Sequence, residues 1–378
     1  MSAQSKAEGL ACQLSVARSR WQARRVEITE HTSRGAALLK VAVLGTGSLG
    51  KEHARIYADL AQAGLVEFVG VYDVIAESAR KIADKHRVKA FASVAEAAAA
   101  CDAFSIVTPT TTHFELARTL LQMGRHVLVE KPMTDNAAQA AELVLLAQQH
   151  RGVLQVGHVE RFNPVFKYLD TVVTEPRFIE THRLSPYPAR STDIGVVLDL
   201  MIHDLDVVLA FVKSPLVSVD GVGIPVLSRT EDIANARLRF ANGCVANLTV
   251  SRVSPERVRK IRAFCGPTNP CYVSLDYRAQ EGFIYRIARD GEEESSLLKK
   301  LMAAKLGVGK DSTIVSEFGG KRIVREPVPI NKDEPLKLEL QHFVKCVNEK
   351  LTPAVSGESA KQALDLAFEI TRQIKANP

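Results

Sequence analysis

Cysteine is sparse in this chain, with six among 378 residues, and no C-x-x-C pair occurs: Cys12, Cys101, Cys244, Cys265, Cys271 and Cys346 lie scattered. That spacing argues against a disulfide framework and against a zinc site, and it predicts a reducing compartment with no bound metal. Aromatic residues make up only 6%, and no stretch interleaves them with runs of Lys and Arg, so a stacking platform for single-stranded nucleic acid is not expected. No window approaches the roughly 18 apolar residues of a membrane span, and the N-terminus lacks the apolar core of a secretory signal. The expectation is a cytoplasmic protein with no nucleic-acid or membrane partner.

The rest of the composition, 46% hydrophobic and 24% charged, is that of a globular protein long enough for two domains. The formal net charge is +6, unevenly spread. Residues 1–37 hold Lys6, Arg18, Arg20, Arg24, Arg25 and Arg34 against Glu8, Glu27 and Glu30, about half of the excess. This tail is expected to be a poorly ordered extension, with an amphipathic piece around Trp21 as the alternative. The mildly basic body suits an anionic small molecule.

From residue 39 short apolar strands alternate with helical patterns: LKVAVLG, VEFVGVYD, AFSIVTPT, HVLVEKP and VLQVGHV are strands, and the segments between them are helical by period. That alternation predicts a doubly wound parallel sheet over residues 38–157, a Rossmann domain. After residue 158 the texture changes. GVVLDLMIHDLDVVLAFV (195–212) reads as one long apolar helix, and VSVDGVGIPV, DIANARLRF, CVANLTVSRV, RKIRAFCG, CYVSLDY and FIYRIAR alternate as strands, with an Asn242-Gly243 turn marking a hairpin. Residues 158–378 are therefore expected to form a second, α/β domain, a large, mostly antiparallel sheet with a few helices. Residues 294–320 look like an irregular excursion, and two helices end the chain.

Gly45-Thr46-Gly47-Ser48-Leu49-Gly50 is a complete G-x-G-x-x-G between a strand and a helix. Gly45 permits the tight turn, Gly47 lets backbone approach a pyrophosphate, Gly50 allows close helix packing, and Ser48 and Leu49 lead into a helix N-terminus that offers free N–H groups. Asp73 ends the second strand, where a carboxylate accepts from ribose hydroxyls and repels a 2'-phosphate. NAD is thus favoured over NADP. Thr108, Pro109 and His113 follow the next strand end and are candidates to wall the nicotinamide side, with an ordinary capped helix start as the alternative.

VLVEKPM (127–133) brings Glu130 and Lys131 to another strand end of the nucleotide site. Asp199, His203 and Asp206 are spaced four and then three apart, one stripe of an otherwise apolar helix. Oxidising an alcohol with NAD needs a proton acceptor and a stabiliser for the forming alkoxide. His203 suits the first role and Lys131 the second, with Asp199 expected to orient the imidazole and balance the ammonium.

Taken together, Gly45–Gly50, Glu130-Lys131-Pro132 and Asp199-x-x-x-His203-x-x-Asp206 resemble the glucose-fructose oxidoreductase, inositol dehydrogenase and rhizopine-catabolism (Gfo/Idh/MocA) family, over residue 39 to the end. The resemblance implies a Rossmann domain, a C-terminal open-sheet domain used for homo-oligomer contacts in a dimer or tetramer, a Lys-Pro peptide that is often cis, and catalytic roles for Lys131, Asp199 and His203. Many relatives carry Gly-Gly before the Asp/His helix, where Ile194-Gly195 stands here.

Gly157-His158-Val159-Glu160-Arg161-Phe162-Asn163-Pro164 together with Asp199-Leu200-Met201-Ile202-His203-Asp204 resembles the branch that oxidises UDP-N-acetylglucosamine at C3 for amino-sugar, lipid A or surface polysaccharide synthesis. On that resemblance His158, Arg161, Asn163, Tyr187 and Arg190 join Asp199 and His203 as substrate-binding candidates, Arg183, Arg252, Arg257 and Arg259 being further basic residues for a diphosphate. Two other readings stand beside it: a dehydrogenase of a free polyol such as inositol, and a non-catalytic NAD-binding regulator.

Overall fold

The computed structural model describes residues 37–187, 194–288 and 313–376; the expectation for the basic tail falls almost wholly outside them. Six strands, β1 (Lys40–Leu44), β2 (Glu67–Tyr72), β3 (Lys89–Ala90), β4 (Ala103–Ile106), β5 (His126–Glu130) and β6 (Leu154–Gly157), form one sheet in the order β3-β2-β1-β4-β5-β6. All pairings are parallel. The apolar runs of β1, β4, β5 and β6 are buried along almost their whole length, as a sheet covered on both faces requires. The crossovers are α1 (Gly50–Gln62), α2 (Ala76–His86), α3 (Val94–Ala100), α4 (Thr110–Gln122) and α5 (Ala137–Gln149). The strand order reverses between β1 and β4, which opens a ligand crevice at their carboxyl ends.

A short 3-10 turn (Val159–Phe162) and α6 (Pro164–Val172) follow β6. The second sheet has nine strands: β7 (Pro176–Leu184), β8 (Leu216–Ile224), β9 (Ile233–Phe240), β10 (Val245–Ser251), β11 (Val258–Cys265), β12 (Cys271–Asp276), β13 (Glu281–Ile287), β14 (Thr313–Phe318) and β15 (Lys321–Pro327). Their order is β14-β15-β13-β12-β11-β7-β10-β9-β8, antiparallel except where β7 runs parallel to β10. Alternate residues of β7, β9 and β10 are buried, the period-2 signature of one covered face. Three helices complete the fold: α7 (Ile202–Val212), α8 (Pro335–Glu349) and α9 (Gly357–Ala376).

The structure corrects three expectations. The irregular excursion expected over 294–320 ends earlier, because 313–318 is β14, joined to β15 through Gly319 and Gly320, both at positive φ as a two-residue hairpin turn demands; 289–312 lie outside the described residues. The helix expected over 195–212 begins with a π-turn at Val197–Met201. Nor is residue 157 a clean boundary. Leu340, Phe343, Val344 and Val347 of α8 are buried in one cluster with Val41, Val43, Tyr57 and Leu128 of the first sheet's layers, so the chain returns to its first half.

Candidate active site

At the end of β1 the glycine loop is locked by contact. A Cβ on Gly45, which sits at φ +94°, would lie 2.3 Å from the Val107 carbonyl oxygen, and one on Gly50 would lie 2.0 Å from that of Gly45. Gly47 differs: nothing stands within 4 Å of where its Cβ would be. That open approach, facing α1 at its N-terminus, fits a pyrophosphate. Asp73 accepts from the Thr46 N–H (2.7 Å), the Thr46 hydroxyl (2.8 Å) and the Ile75 N–H (2.9 Å). Burial raises its pKa, and these hydrogen bonds outweigh burial and hold it below the usual carboxylate range. Val74 and Ile75 follow it, both exposed, and neither offers a cation to a 2'-phosphate. The dinucleotide NAD therefore matches the loop and the carboxylate.

Thr108, Pro109 and His113 are brought together in a different way from that expected. Pro109 opens α4, the Thr112 hydroxyl donates to Thr108 Oγ1, and His113 is buried, its two ring nitrogens 3.0 Å from the Pro132 carbonyl and 2.9 Å from that of Thr108. His113 ties the loop after β4 to the cis Lys131–Pro132 peptide and is 1% exposed.

At the end of β5, Glu130 bonds His53 of α1 (3.1 Å) and faces Gly157 of β6, where a Cβ would lie 2.7 Å from the carboxylate. Lys131 Nζ donates to the Asp199 carbonyl (2.7 Å) and to Asp199 Oδ1 (3.1 Å). Asp199 lies within the π-turn. The Ile202 N–H reaches back to the Val197 carbonyl, and such a turn disturbs the i to i−4 ladder that would otherwise occupy carbonyl groups.

Lys131, Asp199 and His203 open onto one cavity of about 590 Å³, within the range of small-molecule sites. No hydrogen bond joins Asp199 to His203 among the described residues: the carboxylate serves the ammonium and does not orient the imidazole. Asp206 leaves the expected stripe as well, paired with Arg161 at 3.3 Å. His203 Nδ1 is buried without a partner, which leaves Nε2 as the nitrogen available to the cavity. Withdrawal from water, then the Lys131 ammonium and the Arg183 guanidinium, push the His203 pKa well below its ordinary value, so the ring is neutral and able to accept a proton. His158 stands edge-on behind it, 6.1 Å between centroids, its own pKa pushed down to about 3 by burial and then by Lys131 and Arg161.

The substrate-binding candidates divide. His158 is fully buried behind His203 rather than on the wall. Arg161 is absent from the wall, consumed by Asp206 and the Ala354 carbonyl. Asn163 borders the cavity, yet its amide caps α6 and donates to Glu160 and the Tyr277 carbonyl. Tyr187 is partly exposed, with the Arg252 guanidinium 5.9 Å from its ring centroid, and does not border the cavity; Arg190 lies outside the described residues. Arg252 is fully buried against Asp232 (2.7 Å); Arg183 and Arg259 reach the wall, and Arg257 does not.

Glu160, Tyr277, Arg278 and Gln280 line the cavity too. Their sequence signal is faint: Tyr277 and Arg278 sit at a strand end, and nothing local tells which end faces the nucleotide sheet.

Residues 39–158 match the model of an oxidoreductase family with an NAD-binding Rossmann fold, and residues 172–266 match the GFO/IDH/MocA C-terminal domain. UDP-N-acetylglucosamine 3-dehydrogenase of Acidithiobacillus ferrooxidans is 40% identical over 248 residues, 65% of this chain and 77% of that protein. A solved structure of that enzyme superposes with a TM-score of 0.77 at 33% identity, covering 89% of this chain and 98% of the other. The NAD(+)-dependent scyllo-inositol 2-dehydrogenase of Bacillus subtilis is 24% identical over 356 residues, 89% of this chain and 94% of that enzyme.

Proposed function

Because the chain belongs to the Gfo/Idh/MocA oxidoreductase family, we propose that it oxidises the C3 hydroxyl of a UDP-N-acetylhexosamine, UDP-N-acetylglucosamine first, to the 3-keto sugar nucleotide. The observation that carries this reading is the convergence of a doubly anchored ammonium and a neutral imidazole on one cavity, supported by the 40% identity to an enzyme of that name.

NAD, when bound along the glycine loop, supplies the acceptor for the hydride leaving C3. The chain's own residues do the rest. His203 Nε2 takes the hydroxyl proton. Lys131 directs its remaining N–H at the oxygen as negative charge develops there, an interaction stronger in the transition state than in the bound alcohol. Asp199 fixes the lysine through two oxygens. Asp73 selects NAD over NADP by repelling a 2'-phosphate. The keto product suits a following transamination in amino-sugar synthesis for lipid A or surface polysaccharide, carried out in the cytoplasm by a homo-oligomer that pairs through the open sheet. Among the described residues no helix is long and apolar enough to cross a membrane.

Mixing the protein with NAD+ and UDP-N-acetylglucosamine should produce NADH absorbance, sustained when a carbonyl trap or an aminotransferase removes the keto sugar. Turnover of inositols with no response to the nucleotide sugar would replace this reading with a polyol dehydrogenase.

A further inference from the structure

One wall of the cavity brings three arginines together, Arg183, Arg259 and Arg278. Arg183 on β7 and Arg259 on β11 are directly opposed across the ladder, a pairing of like charges that costs stability unless something neutralises it. Arg183 is satisfied: Nε and Nη2 donate to the two oxygens of Asp204 (3.0 and 2.9 Å) and Nη1 to Glu160 (3.0 Å). Among the described residues Arg259 pairs only with Glu160, at 3.6 Å, and that carboxylate already accepts from Arg183 and Asn163. Just past the end of β12 the Tyr277 N–H bonds the Arg259 carbonyl (2.9 Å), which sets Tyr277 and Arg278 beside Arg259. Arg278 is exposed, and no side-chain partner of its guanidinium is recorded among the described residues.

Tyr277 is the second, independent sign. The residue is 4% exposed, and its hydroxyl is buried with no hydrogen-bond partner although the residue borders the cavity. Burying an unpaired hydroxyl costs about 1–3 kcal/mol, a loss a ligand oxygen would recover. Burial, followed by the nearby carboxylates of Glu160 and Asp204, keeps the phenol protonated, so its O–H is available to donate to an acceptor.

We propose that Arg259, Arg278 and the Tyr277 hydroxyl form an anion subsite that takes the diphosphate of a nucleotide sugar and sets the specificity of the cavity against unphosphorylated polyols. Planar guanidinium forks match phosphate oxygens. Lys131 and His203 border the same cavity, so an anchored diphosphate presents the sugar ring to them. The sugar in this assignment rests on the function proposed above; the anion does not.

The test uses the full chain loaded with NADH, with UDP as probe, and then steady-state kinetics with UDP-N-acetylglucosamine. Arg259→Met with Arg278→Met should weaken UDP binding by at least ~tenfold, raise KM by a similar factor and leave kcat far less affected, since the anion is held alike in ground and transition states. Tyr277→Phe, which removes one hydroxyl, should weaken UDP several-fold and serves as the readout should the double variant fold poorly. Unchanged UDP affinity and KM in folded variants, or wild-type protein that does not bind UDP, would overturn the subsite. Wild-type turnover with indifferent variants would sink the subsite alone. Arginine-dependent UDP binding without turnover of the UDP sugar would sink the proposed reaction alone.

Discussion

A lysine ends in three N–H donors, and at Lys131 two of them are spent on the single residue Asp199. The third is held in a fixed direction by the other two, which is what an oxyanion stabiliser requires: no reorganisation when charge appears. Lys131→Met should therefore lower kcat/KM by ~10²–10³ and leave NADH affinity, followed by fluorescence titration, within a few-fold. The ammonium also helps to depress the pKa of His203, and this has a sign. The ring works as a base only when unprotonated, so a depressed pKa keeps kcat/KM level as pH falls through 6.5 and moves the acid limb to lower pH. In Lys131→Met the limb of the residual activity should shift upward, because one of the charges that disfavours imidazolium has gone. A wild-type limb at or above 6.5 would remove His203 from the role of base. Lys131, Asp199 and His203 were legible because each is a chemically costly residue in an apolar segment. What the sequence could not tell was the partner of Asp199, since helical spacing points to His203 and only the fold brings Lys131 within reach.

Asp199 sits in an irregular element. The turn Val197–Met201 is wound as π-helix, and apolar periodicity is nearly blind to one irregular turn inside a long buried helix, so 195–212 reads as continuous. The same local blindness hides α6 behind the ERFNP segment, where Asn163 is a cap with Pro164 at the first helical position, the usual start signal. The π-turn is held at its start by Glu231, whose Oε1 accepts from the Val197 N–H (3.2 Å) and whose main-chain carbonyl accepts from the Val196 N–H (3.1 Å). Gly195 makes room for it, since a Cβ there would lie 1.9 Å from Glu231 Oε1. Gly195→Ala should thus displace the carboxylate and cost about 1 kcal/mol, the worth of a lost helix cap, read as a small fall in the calorimetric midpoint. The larger effect should be on kcat, through Asp199. Adding Glu231→Ala removes the collision, so the two substitutions together should cost less than the sum of each alone; simple additivity would mean that Gly195 does not answer to Glu231.

For the molecule as a whole, the two sheets were readable because buried parallel strands and half-covered antiparallel strands differ in period, one giving continuous apolar runs and the other alternation. Nothing in that pattern says that α8 crosses back to the first sheet, since its apolar stripe fits either core. The crossing buries a carboxyl group. Glu339 of α8 is fully buried with neither side-chain oxygen hydrogen-bonded, near Glu130 of β5 and Asp206 of α7. Burial first, and then the charges of Glu130 and Asp206, raise its pKa well above 4.5. Burial likewise raises that of Asp206 to about 7, against the pull of Arg161. Both groups keep a proton in the folded protein that the unfolded chain gives up, Asp206 from about pH 3.8 upward and Glu339 from about 4.5. Their contribution to stability is therefore fully present below those values and is lost as pH rises toward the raised pKa of each. Glu339→Leu removes the group whose ionisation has no partner and leaves intact the Gln155 bond to the Glu339 carbonyl, which is a main-chain contact. At pH 8 the variant should be more stable than wild type by ~1–3 kcal/mol, and the gain should shrink toward pH 5, where the unfolded chain holds more of the proton as well. Calorimetric midpoints at the two pH values decide it: a variant less stable at pH 8, or a gain that does not depend on pH, would mean that Glu339 is held by contacts other than those seen around it.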